Sequence, residues 1–391
     1  MHRRRRKSTR TRRLLAATAA LVTAALGALM ASTDWLASFG ARPTGARQAR
    51  VEQSPNFRDG AFQNPVATRK AVPGTLWRTL VMQVTGREQR VPPGPLPVVP
   101  LTRASFATPP ASGLRATWLG HATVLLEVDG QRALVDPVWA ERASPSTLAG
   151  PRRFHPPPLP LTELPPIDVV VFSHDHYDHL DMATVRALAA DPSQARARFV
   201  APLGVAAHLE RWGVAPGRIT ELDWHGTTRV GTLTLTAAPA RHFSGRGVGD
   251  AFGRGDHALW ASWVIAGPTH HVFFSGDTGP FDGIADIGAR YGPFGLTLIK
   301  IGAYGPTWPD IHLTPEQAVD AHTRLRGSVL LPVHWGTFNL AFHAWDEPAE
   351  RVWAAARAAE AVVVLPRPGQ PVEPSAPVAV EPWWRAVSAG R

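Results

Sequence analysis

Ser173-His174-Asp175-His176-Tyr177-Asp178-His179 sets His174, His176, Asp178 and His179 at H-x-H-x-D-H spacing. Neutral imidazole and carboxylate are the donors that zinc, iron and manganese accept readily. The stretch follows Ile167-Asp168-Val169-Val170-Val171-Phe172, an apolar run that reads as a fully buried strand, so the motif falls in a strand-end loop. Residues two apart in such a loop can turn toward one side. His174 and His176 can then hold one cation, while Asp178 and His179 reach a second. Asp175 alternates away from the histidines, and Tyr177 is expected to pack. A polar loop that is histidine-rich by chance is the rival reading. With 16 His in 391 residues, clustering of this kind argues against it.

A two-metal centre needs further ligands, and three candidates sit at the ends of other expected strands. His242 lies in Pro239-Ala240-Arg241-His242-Phe243-Ser244, Asp277 in Ser275-Gly276-Asp277-Thr278-Gly279, and His334 in Pro332-Val333-His334-Trp335-Gly336. Each alone is ambiguous, because a strand-end His or Asp is more often a satisfied loop residue. Together, four strand ends bearing His or Asp point to one rim of a sheet, which is how a rigid site is built. A carboxylate at Asp277 can bridge two ions. His121, between two strands, is expected to support a ligand and not to be one.

The elements that must position these residues follow from pattern. Arg115–Leu119, Thr123–Val128 and Arg132–Asp136 read as strands, with Asp129-Gly130 as a tight hairpin turn. Asp181 is a plausible N-cap for a helix through Ala190. Further strands are expected at Thr232–Ala237, Leu259–Ala266, Val272–Phe274, Leu296–Ile301 and Val329–Val333. Helices are expected near Phe281–Tyr291, after the capping sequence Thr314-Pro315-Glu316-Gln317, and over Pro348–Ala361. Strands and helices in two successive sets imply an α/β fold of two sheets packed face to face with helices outside.

Composition bounds the rest. The net charge of +10 is concentrated in residues 1–13, which hold eight basic residues and no acid, leaving about +2 for the body. A nucleic-acid partner is therefore not expected, since the charge sits in a tail and not on a folded face. Cysteine is absent, which excludes disulfides and thiolate ligands. Leu14 to Ala31 is an 18-residue uncharged run. Its length is at the lower edge of what spans a bilayer, and its basic flank is expected to stay cytoplasmic while the body is exported. Residues 1–45 thus read as a basic tail with a signal peptide or membrane anchor, and Ala28-Leu29-Met30-Ala31-Ser32 offers no clean cleavage site. Thr11-Arg12-Arg13-Leu14-Leu15 resembles part of a twin-arginine export signal. The expected location is the cell envelope, on the extracytoplasmic side. Residues 46–112 form a Pro/Gly-rich arm, to which seven prolines between Val91 and Pro110 deny regular structure, so that it is expected to lie extended over the domain surface. The domain that carries the metal motif is expected over 113–372. The Pro-rich tail 373–391 ends in Trp383-Trp384-Arg385, a sequence expected at a membrane interface.

Beyond the metal motif, the chain resembles the metallo-β-lactamase fold. Within it the chain is most similar to N-acyl-phosphatidylethanolamine-hydrolysing phospholipase D and its bacterial relatives. The resemblance runs from about Asn64 to Pro348. It rests on Trp118-Leu119-Gly120-His121-Ala122-Thr123, Asp136-Pro137, Arg142-Ala143-Ser144-Pro145-Ser146, Glu163-Leu164-Pro165-Pro166-Ile167-Asp168 and Ser173–Asp181. It continues through Glu221-Leu222-Asp223-Trp224, Gly276-Asp277-Thr278-Gly279, Ile301-Gly302-Ala303-Tyr304 and His334-Trp335-Gly336-Thr337-Phe338. The resemblance implies a four-layer αββα sandwich and two Zn2+ per chain. It assigns His174, His176 and His242 to one zinc, and Asp178, His179 and His334 to the other, with Asp277 bridging. It also implies that His312, in Asp310-Ile311-His312-Leu313, lies close to the substrate phosphate, and that the protein is a homodimer.

The chemistry implied is hydrolysis of a lipid phosphodiester, with two cations activating a bridging water and with Asp277, Asp178 and His312 as catalytic residues. A membrane lipid is the expected substrate and partner. A lactonase or other ester or amide hydrolase would use the same centre, and β-lactam hydrolysis is disfavoured. A nuclease would need a basic groove that the near-neutral body does not suggest. A non-catalytic envelope-associated protein would have no need of candidate ligands at all seven positions.

Overall fold

The computed structural model describes residues 18, 20, 21, 23, 35–247, 250, 255–377 and 379–390. The basic tail and most of the apolar run 14–31 lie outside these residues. Among the described residues, no helix is long and apolar enough to cross a membrane.

Two mixed sheets carry the domain. The first has seven strands, β3 (Leu114–Gly120), β4 (Thr123–Val128), β5 (Gln131–Val135), β6 (Val169–Val171), β7 (Arg198–Pro202), β8 (Ile219–Leu222) and β15 (Pro371–Val372), in the order β15-β3-β4-β5-β6-β7-β8. The second has six, β9 (Thr227–Val230), β10 (Leu233–Ala238), β11 (Ser262–Ala266), β12 (His271–Phe274), β13 (Phe294–Lys300) and β14 (Gly327–Val333), in the order β14-β13-β12-β11-β10-β9. β3, β4 and β5 form the expected meander, and Asp129 and Gly130 both take left-handed φ values, 48° and 83°, as a two-residue hairpin turn requires. From β5 through β8, and from β12 through β14, neighbouring strands are parallel.

Side-chain alternation makes the layers. In β4, Val124, Leu126 and Val128 enter the core between the sheets with Trp263, Leu235 and Val272. Leu125 points the other way, joining Leu134, Val170 and Phe199 under the helices Met182–Ala190 and Ala206–Arg211. The helices Gly283–Tyr291, Pro315–Arg324 and Glu347–Ala358 pack on the second sheet through Ile284, Ile287, Val319 and Val352. Thr314 and Gln317 form the capping box read from the sequence. The central parallel strand β6 is Val169-Val170-Val171 without a polar residue because both of its faces are covered.

Two expectations need correction. The arm 46–112 is not irregular throughout: it holds the helices Gly45–Glu52 and Leu76–Thr85 and the hairpin Phe57–Arg58 (β1) with Ala61–Phe62 (β2). Proline keeps only the stretch after residue 91 extended, up to a short 3-10 turn at Arg103–Phe106. The C-terminal pair Trp383-Trp384 does not face outward. Both indoles are buried, in the helix Trp383–Ala389, against Trp335, Trp345 and Trp353. Their ring nitrogens donate to the Leu365 carbonyl at 3.2 Å and to Glu350 Oε1 at 2.6 Å, so desolvation leaves no polar group unpaired.

Candidate metal centre

Strand direction brings the motifs together. β5 and β6 are parallel, and β10 runs the same way as β12, β13 and β14, so their C-terminal ends meet at one rim. The loop after β6 is shaped by its own backbone, with the His179 and Leu180 N–H groups donating to the His176 carbonyl at 3.1 and 2.8 Å. It ends on Asp181, whose carboxylate accepts from the Ala183 and Thr184 N–H groups at the start of the next helix and from Ala140 N–H.

All seven candidate ligands converge. His174 Nε2 and His242 Nε2 lie 2.8 and 3.2 Å from His176 Nδ1. His179 Nε2 is 3.4 Å from both Asp178 Oδ2 and Asp277 Oδ2. His334 Nε2 is 3.3 and 3.1 Å from the same two oxygens. Asp277 Oδ2 also lies 3.8 Å from His242 Nε2, so this carboxylate stands between the two groups. His312 reaches the same place, with Nδ1 3.9 Å from Asp277 Oδ2. Asp175 turns away, as expected, to accept from Gly245 N–H and to face His208. Tyr177 packs beneath the Arg246 guanidinium and donates to the Arg246 carbonyl. His121 touches the centre from behind, with Nε2 2.8 Å from Asp178 Oδ2.

The donor set fits cations. Buried His179 Nε2, His334 Nε2 and Asp277 Oδ1 have no hydrogen-bond partner, although such atoms are almost always paired. Burial, then neighbouring histidine charge, holds His174 well below its usual pKa. Burial likewise pushes His242 down to about 3 and lowers His176, leaving neutral imidazoles suited to ligation. His179 differs: burial alone would lower it, but Asp277, Asp178 and Asp136 together raise it well above normal. Burial alone would raise Asp178 and Asp277, but the facing histidines, His179 beside Asp178 and His334 with His179 beside Asp277, hold both carboxyls well below the usual range. The pocket therefore stabilises positive charge there, as a proton or as a metal ion.

Backbone strain gathers at the rim. His121, Asp136 and His334 adopt positive φ values of 52°, 38° and 66°, which non-glycine residues rarely hold without a reason in the site. Gly276, beside Asp277, has φ 52°, and a Cβ there would collide with the Ser173 Cβ. No other residue fits.

Three supporting residues escaped the sequence reading. Asp136, at the end of β5, accepts from Ser173 N–H at 2.7 Å and holds His179 Nδ1 at 2.6 Å. Its position after an apolar strand, like that of Asp277, was the available signal. Asn64, from the arm, clamps the His242 backbone with two hydrogen bonds of 2.7 and 2.9 Å. Lys300, the last residue of β13, is fully buried, with Nζ 2.6 Å from the Gly302 carbonyl and 2.5 Å from His312 Nδ1. A lone lysine closing a mostly apolar strand was its signal, because buried lysines are rare without a partner.

Known proteins share this arrangement. Residues 131–335 match the family model described as the beta-lactamase superfamily domain. A Mycobacterium tuberculosis protein of uncharacterized function is 48% identical over 378 residues, covering 94% of this chain and 99% of the relative. N-acyl-phosphatidylethanolamine-hydrolyzing phospholipase D 1 of Caenorhabditis elegans is 38% identical over 276 residues, 67% of this chain and 75% of the relative. The solved structure of Igni18, a metallo hydrolase of the archaeon Ignicoccus hospitalis, superposes with a TM-score of 0.50 at 25% identity, covering 66% of this chain and 97% of its own. A converging His/Asp rim on two packed sheets and these likenesses agree: the chain belongs to the beta-lactamase superfamily, as a metal-dependent hydrolase of the metallo-β-lactamase fold related to N-acyl-phosphatidylethanolamine-hydrolysing phospholipase D.

Proposed function

We propose that the chain is a phosphodiesterase of the phospholipase D type, acting on N-acyl-phosphatidylethanolamine or a similar lipid. The observation that carries this reading is the buried Lys300–His312 pair beside Asp277. An ammonium has only donors, so a charged Lys300 donates to His312 Nδ1 and leaves the ring proton on Nε2. Lys300, drawn down to about 7 by burial, carries that charge below neutrality, and an N–H donor so backed suits an anionic phosphoryl group better than a neutral carbonyl.

Two zinc ions are the proposed cofactor, one held by His174, His176 and His242 and the other by Asp178, His179 and His334, with Asp277 shared. When bound, such a pair supplies Lewis acidity toward a phosphoryl oxygen and lowers the pKa of bound water to near neutrality. The chain's own residues do the rest. Asp136 fixes the His179 ring with the proton on Nδ1, and His121 steadies Asp178. His312 donates from Nε2 to a phosphoryl oxygen as charge builds on it. Water adds to phosphorus and the bond to the headgroup alcohol breaks, the proton leaving with the alcohol. A cleft of about 970 Å3, lined by apolar Val91, Trp139 and Phe154 and by charged Glu141, Arg142 and Arg152, is the proposed place for part of the lipid. Residues 14–31 are the proposed membrane-directed segment, and the envelope the proposed location.

Assays of N-acyl-phosphatidylethanolamine, a soluble bis-aryl phosphate and a lactone test the reading. Asp277→Asn should abolish turnover of all three. His312→Ala should cost about 10²–10³-fold on the phosphodiesters, the usual loss for one donor to developing charge, and much less on the lactone. Equal loss on both classes, or faster lactone turnover by the parent chain, would replace the phosphodiester reading with carbonyl hydrolysis.

A further inference from the structure

The helix Leu76–Thr85 breaks the burial pattern of the molecule. Trp77 is 74% exposed, Leu80 49%, Val81 37% and Val84 83%. These positions, i, i+3, i+4 and i+7, form one apolar stripe. The stripe faces water because the chain is held by its other contacts. Thr79 Oγ1 meets Thr307 Oγ1, Val72 N–H donates to the Thr307 carbonyl, and Arg90 donates to the Met82 carbonyl. Contiguous apolar surface on a folded protein marks an interaction site.

Charge around the stripe says what covers it. Between Val66 and Arg90 the basic residues are Arg69, Lys70, Arg78, Arg87 and Arg90, against Glu88 alone. Arg69 and Lys70 pair with Asp310 and Asp256, and Arg90 with Glu88. Arg78 and Arg87 are exposed and form no ion pair among the described residues. An apolar stripe flanked by unpaired arginines is complementary to a bilayer surface bearing anionic headgroups.

Position gives the contact a use. The segment carrying the helix runs along the rim of the metal centre. Asn64 holds His242, Arg69 binds Asp310 two residues before His312, Arg90 sits over the Phe342 ring, and Gln89 accepts from Trp345 N–H. We propose that Trp77, Leu80, Val81 and Val84 dock into the headgroup–acyl boundary of an anionic membrane, with Arg78 and Arg87 at the phosphate level. Docking there presents the rim to the lipid surface. The inference rests on the lipid reading of the site for its purpose, and its test is independent of turnover.

Because the chain has no cysteine, Val84→Cys provides a single attachment point for an environment-sensitive fluorophore on the full-length protein. Phosphatidylglycerol–phosphatidylcholine vesicles should shift the label's emission to the blue, and spin-labelled lipid should quench it. Phosphatidylcholine alone should do so on the order of tenfold more weakly. The same label at exposed Val362, beside β14, should not respond. Any membrane contact through residues 14–31 leaves this local readout unchanged. Trp77→Ser with Val84→Ser should lower turnover of vesicle-borne substrate about tenfold while sparing the soluble bis-aryl phosphate. A label that stays silent on the Val84→Cys protein with anionic vesicles overturns the proposal. So does a label already shielded without vesicles in a chain that sediments as a dimer, since a second copy would then cover the helix. A responsive label on a chain that cleaves no lipid would uphold docking and reject the substrate assignment.

Discussion

Replacing Asp136 with asparagine should turn one metal position against its ligand without changing the shape of the site. The carboxylate has two acceptor oxygens in use. Oδ1 accepts from Ser173 N–H at 2.7 Å, while Oδ2 accepts from the Ser173 hydroxyl at 2.5 Å and from His179 Nδ1–H at 2.6 Å. An amide offers only one oxygen. Facing its NH2 toward Ser173 N–H would set donor against donor in a buried site, at about 1–3 kcal/mol. The oxygen therefore stays there, and the NH2 points at His179 Nδ1. His179 answers by accepting on Nδ1 and carrying its proton on Nε2, the atom 3.4 Å from both Asp178 and Asp277. A protonated Nε2 cannot ligate. Loss of such a supporting partner costs about 10–100-fold in metal affinity, or about 1.4–2.7 kcal/mol. Competition against a chromophoric chelator, with metal content per chain by mass spectrometry, should show the His179 position of the proposed pair weakened well beyond the other, which Asp136 reaches only through the Ser173 hydroxyl, 2.8 Å from His174 Nδ1. Wild-type affinity at both sites would refute the tautomer argument, and equal weakening at both would refute its localisation to His179.

Other substitutions test other links. Asp181→Ala removes the acceptor that starts the helix Met182–Ala190 and ties down the metal loop, and should cost about 1–2 kcal/mol by urea unfolding; no measurable shift would show that the cap is dispensable. Trp384→Ala should cost about 3–5 kcal/mol, since the indole is fully buried among Trp335, Trp353 and Trp383; an interfacial residue would lose almost nothing. Burial draws Lys300 down to about 7, with Asp277 and Asp178 opposing it only in part. The unfolded chain keeps that proton to about 10.4. Between those values the unfolded state binds more protons, so this residue makes stability rise with pH. In metal-stripped protein, Lys300→Met should flatten the rise between neutrality and pH of about 10 in urea titrations, and an unaltered slope would contradict the burial argument.

The sequence by itself settled the elements whose signals are local. Asp129-Gly130 dictates a hairpin because its left-handed turn is written in two adjacent residues, and Thr314-Pro315-Glu316-Gln317 begins a helix for a similar reason. The H-x-H-x-D-H loop declared its chemistry, since donors two apart after a buried strand have few other uses. Resemblance over nine separate segments supplied the fold. The same local rules failed at Trp383-Trp384, where aromatic composition fits an interface and a core equally well. Partners distant in sequence decided for the core, through Trp335 and Glu350.

Tertiary structure alone revealed what holds the ligands still. Asp136 meets His179 across 43 positions of sequence, and Asn64 meets His242 across 178. Neither pairing leaves a periodic trace, because each depends on which strands become neighbours. The exposed stripe on Leu76–Thr85 was likewise decided by packing. Its apolar spacing is that of any core-facing helix, and only the contacts to Thr307 and Arg90 determine that the stripe turns outward. A sequence fixes periodicity and donor chemistry along the chain, whereas burial is a property of the surfaces that distant segments offer one another.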